Sequence, residues 1–162
     1  ARGPGQRRGG VVMQDLALHI LDVVDNSLAA GATRIGVHVV EDPAADRLLV
    51  EITDNGRGMD RKMRTRALDP FFTTKPGKAV GMGLALFAQA ARESGGSLKV
   101  ESADGKGTTV RAVFGLGHPD RRPLGDLSGT MSLLAEAHPQ VAFAFDYRIV
   151  KEEPSEAQTR RS

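Results

Sequence analysis

With 162 residues, 40% of them apolar and 26% charged, the chain has the size and composition of one globular domain with a sizeable core and short tails. The net charge of +2 becomes −1 once Arg2, Arg7 and Arg8 of the opening ARGPGQRRGG are set aside, so a nucleic-acid-binding body is not indicated and residues 1–12 read as a disordered basic tail. The absence of cysteine excludes disulfides, thiolate zinc sites and a cysteine nucleophile, while no apolar run approaches the roughly eighteen residues of a membrane span and no secretory h-region opens the chain, so a cytoplasmic protein is expected.

From Met13 to about Ala30 the pattern is helical, with Leu16, Ile20, Val23 and Ser27 on an apolar stripe and Gly31 as the stop. Asp15, His19, Asp22 and Asn26 follow the same spacing and share a polar face. For Asp15 and His19 the expectation is a solvated helix face. Asp22 and Asn26 suit a phosphate site: the amide oxygen is a hard ligand for Mg²⁺, and an acid one turn away can orient or deprotonate an attacking hydroxyl or water.

Thr33–Val40 and Leu48–Thr53 alternate and are β-branched, so they read as strands joined by the turn-rich EDPAADR. Arg61–Ala67 fits a short helix, and Asp69-Pro70-Phe71-Phe72 begins an irregular run that ends near Val80. Phe71 and Phe72 suit either a lid anchor or plain core. Lys75 and Lys78 flank Pro76-Gly77 in a loop, where each either reaches phosphate or stays solvated. Gly83–Ser94 is helical with Leu84, Phe87, Ala88 and Ala91 on a buried stripe, and Ser97–Ser102 with Thr108–Phe114 form a hairpin. Beyond Gly115 come a Pro/Gly/Arg linker, a helix over Leu127–Ala137 and an alternating strand over Val141–Val150. Residues 116–150 are too few for a core of their own and are expected to pack on the domain of residues 13–115; residues 151–162 form a polar tail.

The most informative stretch is Asp54–Leu86. It holds the glycine clusters Asp54-Asn55-Gly56-Arg57-Gly58 and Gly81-Met82-Gly83, separated by a basic segment. Glycines admit close approach of backbone to a polyphosphate, and a helix that starts at the second cluster turns its free N–H groups toward negative charge. A carboxylate directly before a glycine turn can accept a hydrogen bond from a base amine.

These pieces together resemble the ATP-binding domain shared by gyrase, the large heat-shock chaperones, histidine kinases and MutL, the GHKL or Bergerat fold, over roughly residues 14–114. Asp22-Val-Val-Asp-Asn26-Ser-Leu-Ala-Ala-Gly-Ala-Thr-Arg34 is similar to the N-box of MutL. Asp69-Pro-Phe-Phe-Thr-Thr-Lys75 and Gly81-Met-Gly-Leu-Ala-Leu86 are similar to the F-box and G2-box of sensor histidine kinases, DNGRG at 54–58 to the G1-box, and Gly105-Lys-Gly107-Thr108 to the closing G3 turn.

The resemblance implies a two-layer α/β (α+β) sandwich, with a mixed, mostly antiparallel sheet, helices on one face and a mobile ATP lid. It implies ATP and Mg²⁺ as cofactors, Asn26 as the Mg²⁺ ligand, and Asp54 reading the adenine amino group with Thr108 supporting it through solvent. Gly56 and Gly58 would shape the adenine pocket, Gly81 and Gly83 would cradle phosphates, and Met59, Lys75, Met82 and Leu84 complete the implied nucleotide contacts. Asp22, the implied catalytic residue, stands where the family usually carries glutamate and is one methylene shorter.

On these residues neither a phosphoacceptor hairpin before the N-box nor a second domain after the ATP site is expected, and His19 lacks the usual acidic neighbour. The expectation is therefore a stand-alone nucleotide domain, like the serine kinases that act as anti-sigma factors, with a protein partner as phosphoacceptor or regulated target. Two outputs follow: phosphoryl transfer to a protein with Asp22 as base, or a non-catalytic module whose ATP-ordered lid controls partner binding. The C-terminal HPDRRPLGDL unit is faintly similar to extensions on stand-alone ATP-binding proteins associated with iron hydrogenases.

Overall fold

The computed structural model describes residues 15–69 and 82–151. Their elements run α1 (Leu16–Ala29), β1 (Arg34–Asp42), β2 (Arg47–Asp54), α2 (Arg61–Ala67), α3 (Met82–Glu93), β3 (Ser97–Ser102), β4 (Thr108–Gly115), α4 (Leu127–Ala137) and β5 (Ala142–Ile149). The strands form one mixed sheet in the order β3-β4-β2-β1-β5, in which only the β1–β5 pairing is parallel.

Strand alternation turns one face of this sheet apolar. Val37 and Val39 of β1, Val50 and Ile52 of β2, and Val110, Ala112 and Phe114 of β4 are buried on it. The register sets Val37 beside Ile52 and Ile52 beside Val110, so the apolar row is continuous across strands. α1 covers it with Leu16, Ile20, Val23 and Val24, α3 with Leu84, Phe87 and Ala91, and α4 with Leu127, Met131 and Leu134. Phe87, fully buried and tilted against Phe114 at 5.7 Å between ring centroids, ties α3 to β4. Truncating such a ring to alanine costs about 3–5 kcal/mol. The other face carries the Glu51–Arg111 ion pair at 2.5 Å, an exposed contact of small energetic weight.

The helix ends have identifiable partners. Asp60 caps α2 by accepting from Met63 N–H at 2.8 Å, and Asp126 caps α4 by accepting from Gly129 N–H at 3.0 Å. At α1 the linker supplies the acceptors: Leu16 N–H donates to the Pro123 carbonyl at 2.8 Å and Ala17 N–H to that of Leu124 at 2.9 Å. The segment that follows β4 therefore doubles back over the first turn of α1 before α4 and β5 join the shared core and sheet.

That path overturns one expectation. His19, read as part of a solvated face, is 2% exposed. Its ring stacks on Phe87 at 6.0 Å, and its Nε2 lies 3.5 Å from a guanidinium nitrogen of Arg122, which in turn bonds Glu93 of α3 at 3.2 Å. Burial first, and the Arg122 cation second, hold the His19 pKa below its ordinary 6.5, while Glu93 acts in the opposite direction. The irregular run from Pro70, with Phe71, Phe72, Lys75 and Gly81, lies outside the described residues.

Candidate functional site

Asp54 ends β2 at the point where the C-terminal half of α1 crosses the sheet. Ser27 of α1 donates a 2.6 Å hydrogen bond to Asp54 Oδ2, and the Gly56 N–H donates to Oδ1 at 2.8 Å, so the carboxylate is held from two sides. Asn55 ties the same turn to the start of β1: its Oδ1 accepts from the Thr33 and Arg34 N–H groups, both at 2.9 Å, and its Nδ2 donates to Thr33 Oγ1 at 2.9 Å. Arg57 N–H reaches the Ala30 carbonyl at 3.0 Å, which seats the glycine turn on the end of α1.

The loop between β3 and β4 closes the other side. Ser102 Oγ donates to the Gly107 carbonyl at 2.9 Å, accepts from Met59 N–H at 2.8 Å and lies 2.8 Å from Thr108 Oγ1. Gly58 sits where these two turns meet. Its φ is +75°, and a Cβ there would fall 2.1 Å from the Ala103 carbonyl oxygen, so both conformation and space demand glycine.

Between α1, α2, α3 and the sheet lies a cavity of about 400 Å³. Among its lining residues are Asn26, Asp54, Gly58, Met59, Leu84 and Thr108, brought together from α1, the end of β2, the following turn, α3 and β4. Gly56 is buried just behind the Asp54 carboxylate, to which its N–H is bonded. Ser27, Met63 and Arg66 also line the cavity and were not singled out from sequence. Ser27 falls on the buried stripe by periodicity and is buried, and its hydroxyl beside Asn26 is the signal that periodicity does not report. Met63 and Arg66 stand three residues apart on α2, the spacing of one helix face.

Asp22 and Gly83 lie against each other. A Cβ on Gly83 would come within 2.5 Å of Asp22 Cβ, so glycine is what lets the start of α3 approach α1 at this point. Partial burial and, second, the neighbouring Asp25 carboxylate raise the Asp22 pKa above its ordinary 3.8. Lys75 and Gly81 lie outside the described residues, and Met82 is placed only as the first residue of α3.

Residues 12–118 match the family model described as "Histidine kinase-, DNA gyrase B-, and HSP90-like ATPase". The chain belongs to this family. Within this GHKL family it is similar to the sensor kinase CckA of Brucella abortus, 36% identical over 87 residues, which are 53% of this chain and 9% of that protein. It is also similar to the DNA mismatch repair protein MutL of Anaeromyxobacter dehalogenans, 36% identical over 132 residues, 74% of this chain and 21% of that protein. The chain thus spans about a fifth or less of the length of these relatives. Among solved structures, the Aquifex aeolicus MutL ATPase domain complexed with ADP shares the fold, with a TM-score of 0.53, 18% identity, and coverage of 85% of this chain and 61% of that one. The GHKL membership, the two-layer fold and the mixed sheet expected from the boxes therefore stand. No helix among the described residues is long and apolar enough to cross a membrane.

Proposed function

We propose that this GHKL domain binds Mg·ATP in the cavity between α1 and the sheet and transfers the γ-phosphoryl group to a protein. The observation that carries the reading is the Asp54 carboxylate, fixed by Ser27 and Gly56 and facing the same cavity as Asn26 and Thr108. Both carboxylate oxygens already accept from donors of the protein, and each keeps acceptor capacity. A ligand edge met there must offer an N–H, as the adenine amino group does, and Thr108 would support that contact through solvent. Gly58 and Met59 form the wall beside the base, and Leu84 the wall toward α3.

Toward the phosphates the residues are Asn26, Asp22 and the start of α3. Among the described residues the Asn26 side-chain amide has no hydrogen-bond partner, so its oxygen is available to a hard cation. When bound, Mg²⁺ supplies charge neutralisation of the phosphoryl group. Gly83 would leave the phosphates room near the first amides of α3. Asp22 would accept the proton of the incoming hydroxyl, and a raised pKa makes its carboxylate the stronger base.

Single-turnover incubation with γ-labelled ATP and candidate protein acceptors tests the transfer. Label on an acceptor, abolished by Asp22→Asn, is the expected result. Tight nucleotide binding with neither labelled protein nor released phosphate would remove the enzymatic reading and leave a nucleotide-responsive binding module.

A further inference from the structure

β5 is the outer strand of the sheet, bonded to β1 along one edge and, among the described residues, to nothing along the other. Proteins commonly blunt such edges with an internal lysine, a proline or a bulge. The strand AFAFDYRI contains no lysine or proline, its two charges, Asp146 and Arg148, are of opposite sign, and Tyr147, Ile149 and the following Val150 are 42%, 49% and 42% exposed. Ala142 N–H donates to the Thr33 carbonyl and Val150 N–H to that of Glu41, so the even-numbered residues of β5 turn their backbone groups toward β1. Backbone direction alternates along a strand, so Phe143, Phe145, Tyr147 and Ile149 present theirs to the open edge.

We propose that this edge binds a second copy of the chain, antiparallel and in one register, about a two-fold axis through Tyr147. In that register Tyr147 faces Tyr147 of the second copy as a hydrogen-bonded pair, and Phe145 faces Ile149 on the helix side of the sheet. On the other side Asp146 faces Arg148 twice, in the closer non-hydrogen-bonded positions, and Ala144 faces Val150. From Ala144 to Val150 every cross-strand pair joins apolar or aromatic residues to one another or acid to base, the self-complementarity an isologous contact requires, and only at the rim does Phe143 face Lys151. Shifting the partner by two residues would set Arg148 against Arg148 or Asp146 against Asp146 at the axis, so the charges select the register. Arg148 has no ionic partner within the described residues, whereas Asp146 already pairs with His38 and retains a second carboxylate oxygen. The axis stands perpendicular to the sheet, so both α4 helices lie on one face of a continuous ten-stranded sheet, one on either side of the seam.

Sedimentation of the full chain across micromolar to sub-millimolar concentration tests this, with circular dichroism verifying the fold of every variant. A reversible dimer is expected. Arg148→Asp should weaken it by about tenfold or more by opposing like charges at two positions, and Asp146→Arg combined with Arg148→Asp should restore it. The chain has no cysteine, so Tyr147→Cys should give a single symmetric disulfide on mild oxidation, while Glu101→Cys on β3, at the opposite edge, should not. A monomer throughout the range overturns the proposal, as does a dimer that ignores Arg148→Asp and crosslinks through Glu101→Cys instead of Tyr147→Cys.

Discussion

Ser27 and Asp54, 27 residues apart in sequence, are joined by a 2.6 Å hydrogen bond that fastens α1 to the end of β2 at the floor of the cavity. The Ser27 hydroxyl has one proton to give, and its other acceptor, the Val23 carbonyl, lies at 3.4 Å, so the proton goes to the carboxylate. Ser27 then has only lone pairs to offer the cavity, and together with Asp54 it forms a surface of acceptors.

Removing that hydroxyl should therefore disturb recognition more than folding. Ser27→Ala is expected to weaken ATP binding by about 1–2 kcal/mol, because Asp54 loses one of the two donors that orient it. Calorimetric titration of the variant measures this, with GTP as the comparison ligand: a guanine carbonyl meeting acceptors alone should bind poorly to the parent protein and gain relative to ATP in the variant.

Gly83→Ala should be costly although it adds one methyl group. The new carbon would stand 2.5 Å from Asp22 Cβ, and forcing α3 away from α1 costs about 1–3 kcal/mol. A thermal melt should show a loss of several degrees. Phosphoryl transfer should fall further than the stability loss explains, since the displaced contact is Asp22 itself.

Stability should depend on pH through His19. Its folded-state pKa lies below 6.5, so the unfolded chain takes up a proton on that side chain before the native protein does. The contribution is fully present above about pH 6.5 and is lost as pH falls through the interval down to the folded pKa. Urea titrations from pH 7.5 to 5 should show the midpoint falling, and His19→Leu should flatten that part of the profile. Arg122→Met should reduce the dependence, because the Arg122 cation is the second cause of the shift.

Asp22 has the opposite sign. A carboxyl whose pKa is raised on folding disfavours the native state once pH exceeds its ordinary 3.8, so Asp22→Asn should leave the protein as stable or slightly more stable at neutral pH. The same variant should retain ATP binding within a few-fold and lose transfer. Melting temperature, nucleotide affinity and single-turnover rate, measured on one preparation, separate these effects.

Much of this fold is written in local periodicity. The stripe Leu16, Ile20, Val23, Ser27 and the alternation in β1, β2, β4 and β5 place helices and strands within a few residues of their observed ends, because burial on one face imposes the period. The boxes also bring Asn26, Asp54, Gly58, Met59, Leu84 and Thr108 to one cavity. What local pattern does not carry is the crossing of distant segments. His19 looks solvated on its own helix and becomes buried because α3 lays Phe87 on its ring and residues after β4 fold back over α1 and deliver Arg122. Ser27 carries two roles at one position, and periodicity reports only its burial. The alternation of β5 is legible, but its parallel seat beside β1 depends on where the linker and α4 lead the chain.

The most direct test of the nucleotide reading is the affinity of purified Asp54→Asn for Mg·ATP, measured beside the parent protein with circular dichroism to verify the fold. Replacing the carboxylate converts one acceptor oxygen into an N–H donor that opposes the adenine amino group. The account predicts a loss of about 1.5–3 kcal/mol, roughly 10- to 150-fold in Kd. An unchanged Kd in a correctly folded variant would contradict it.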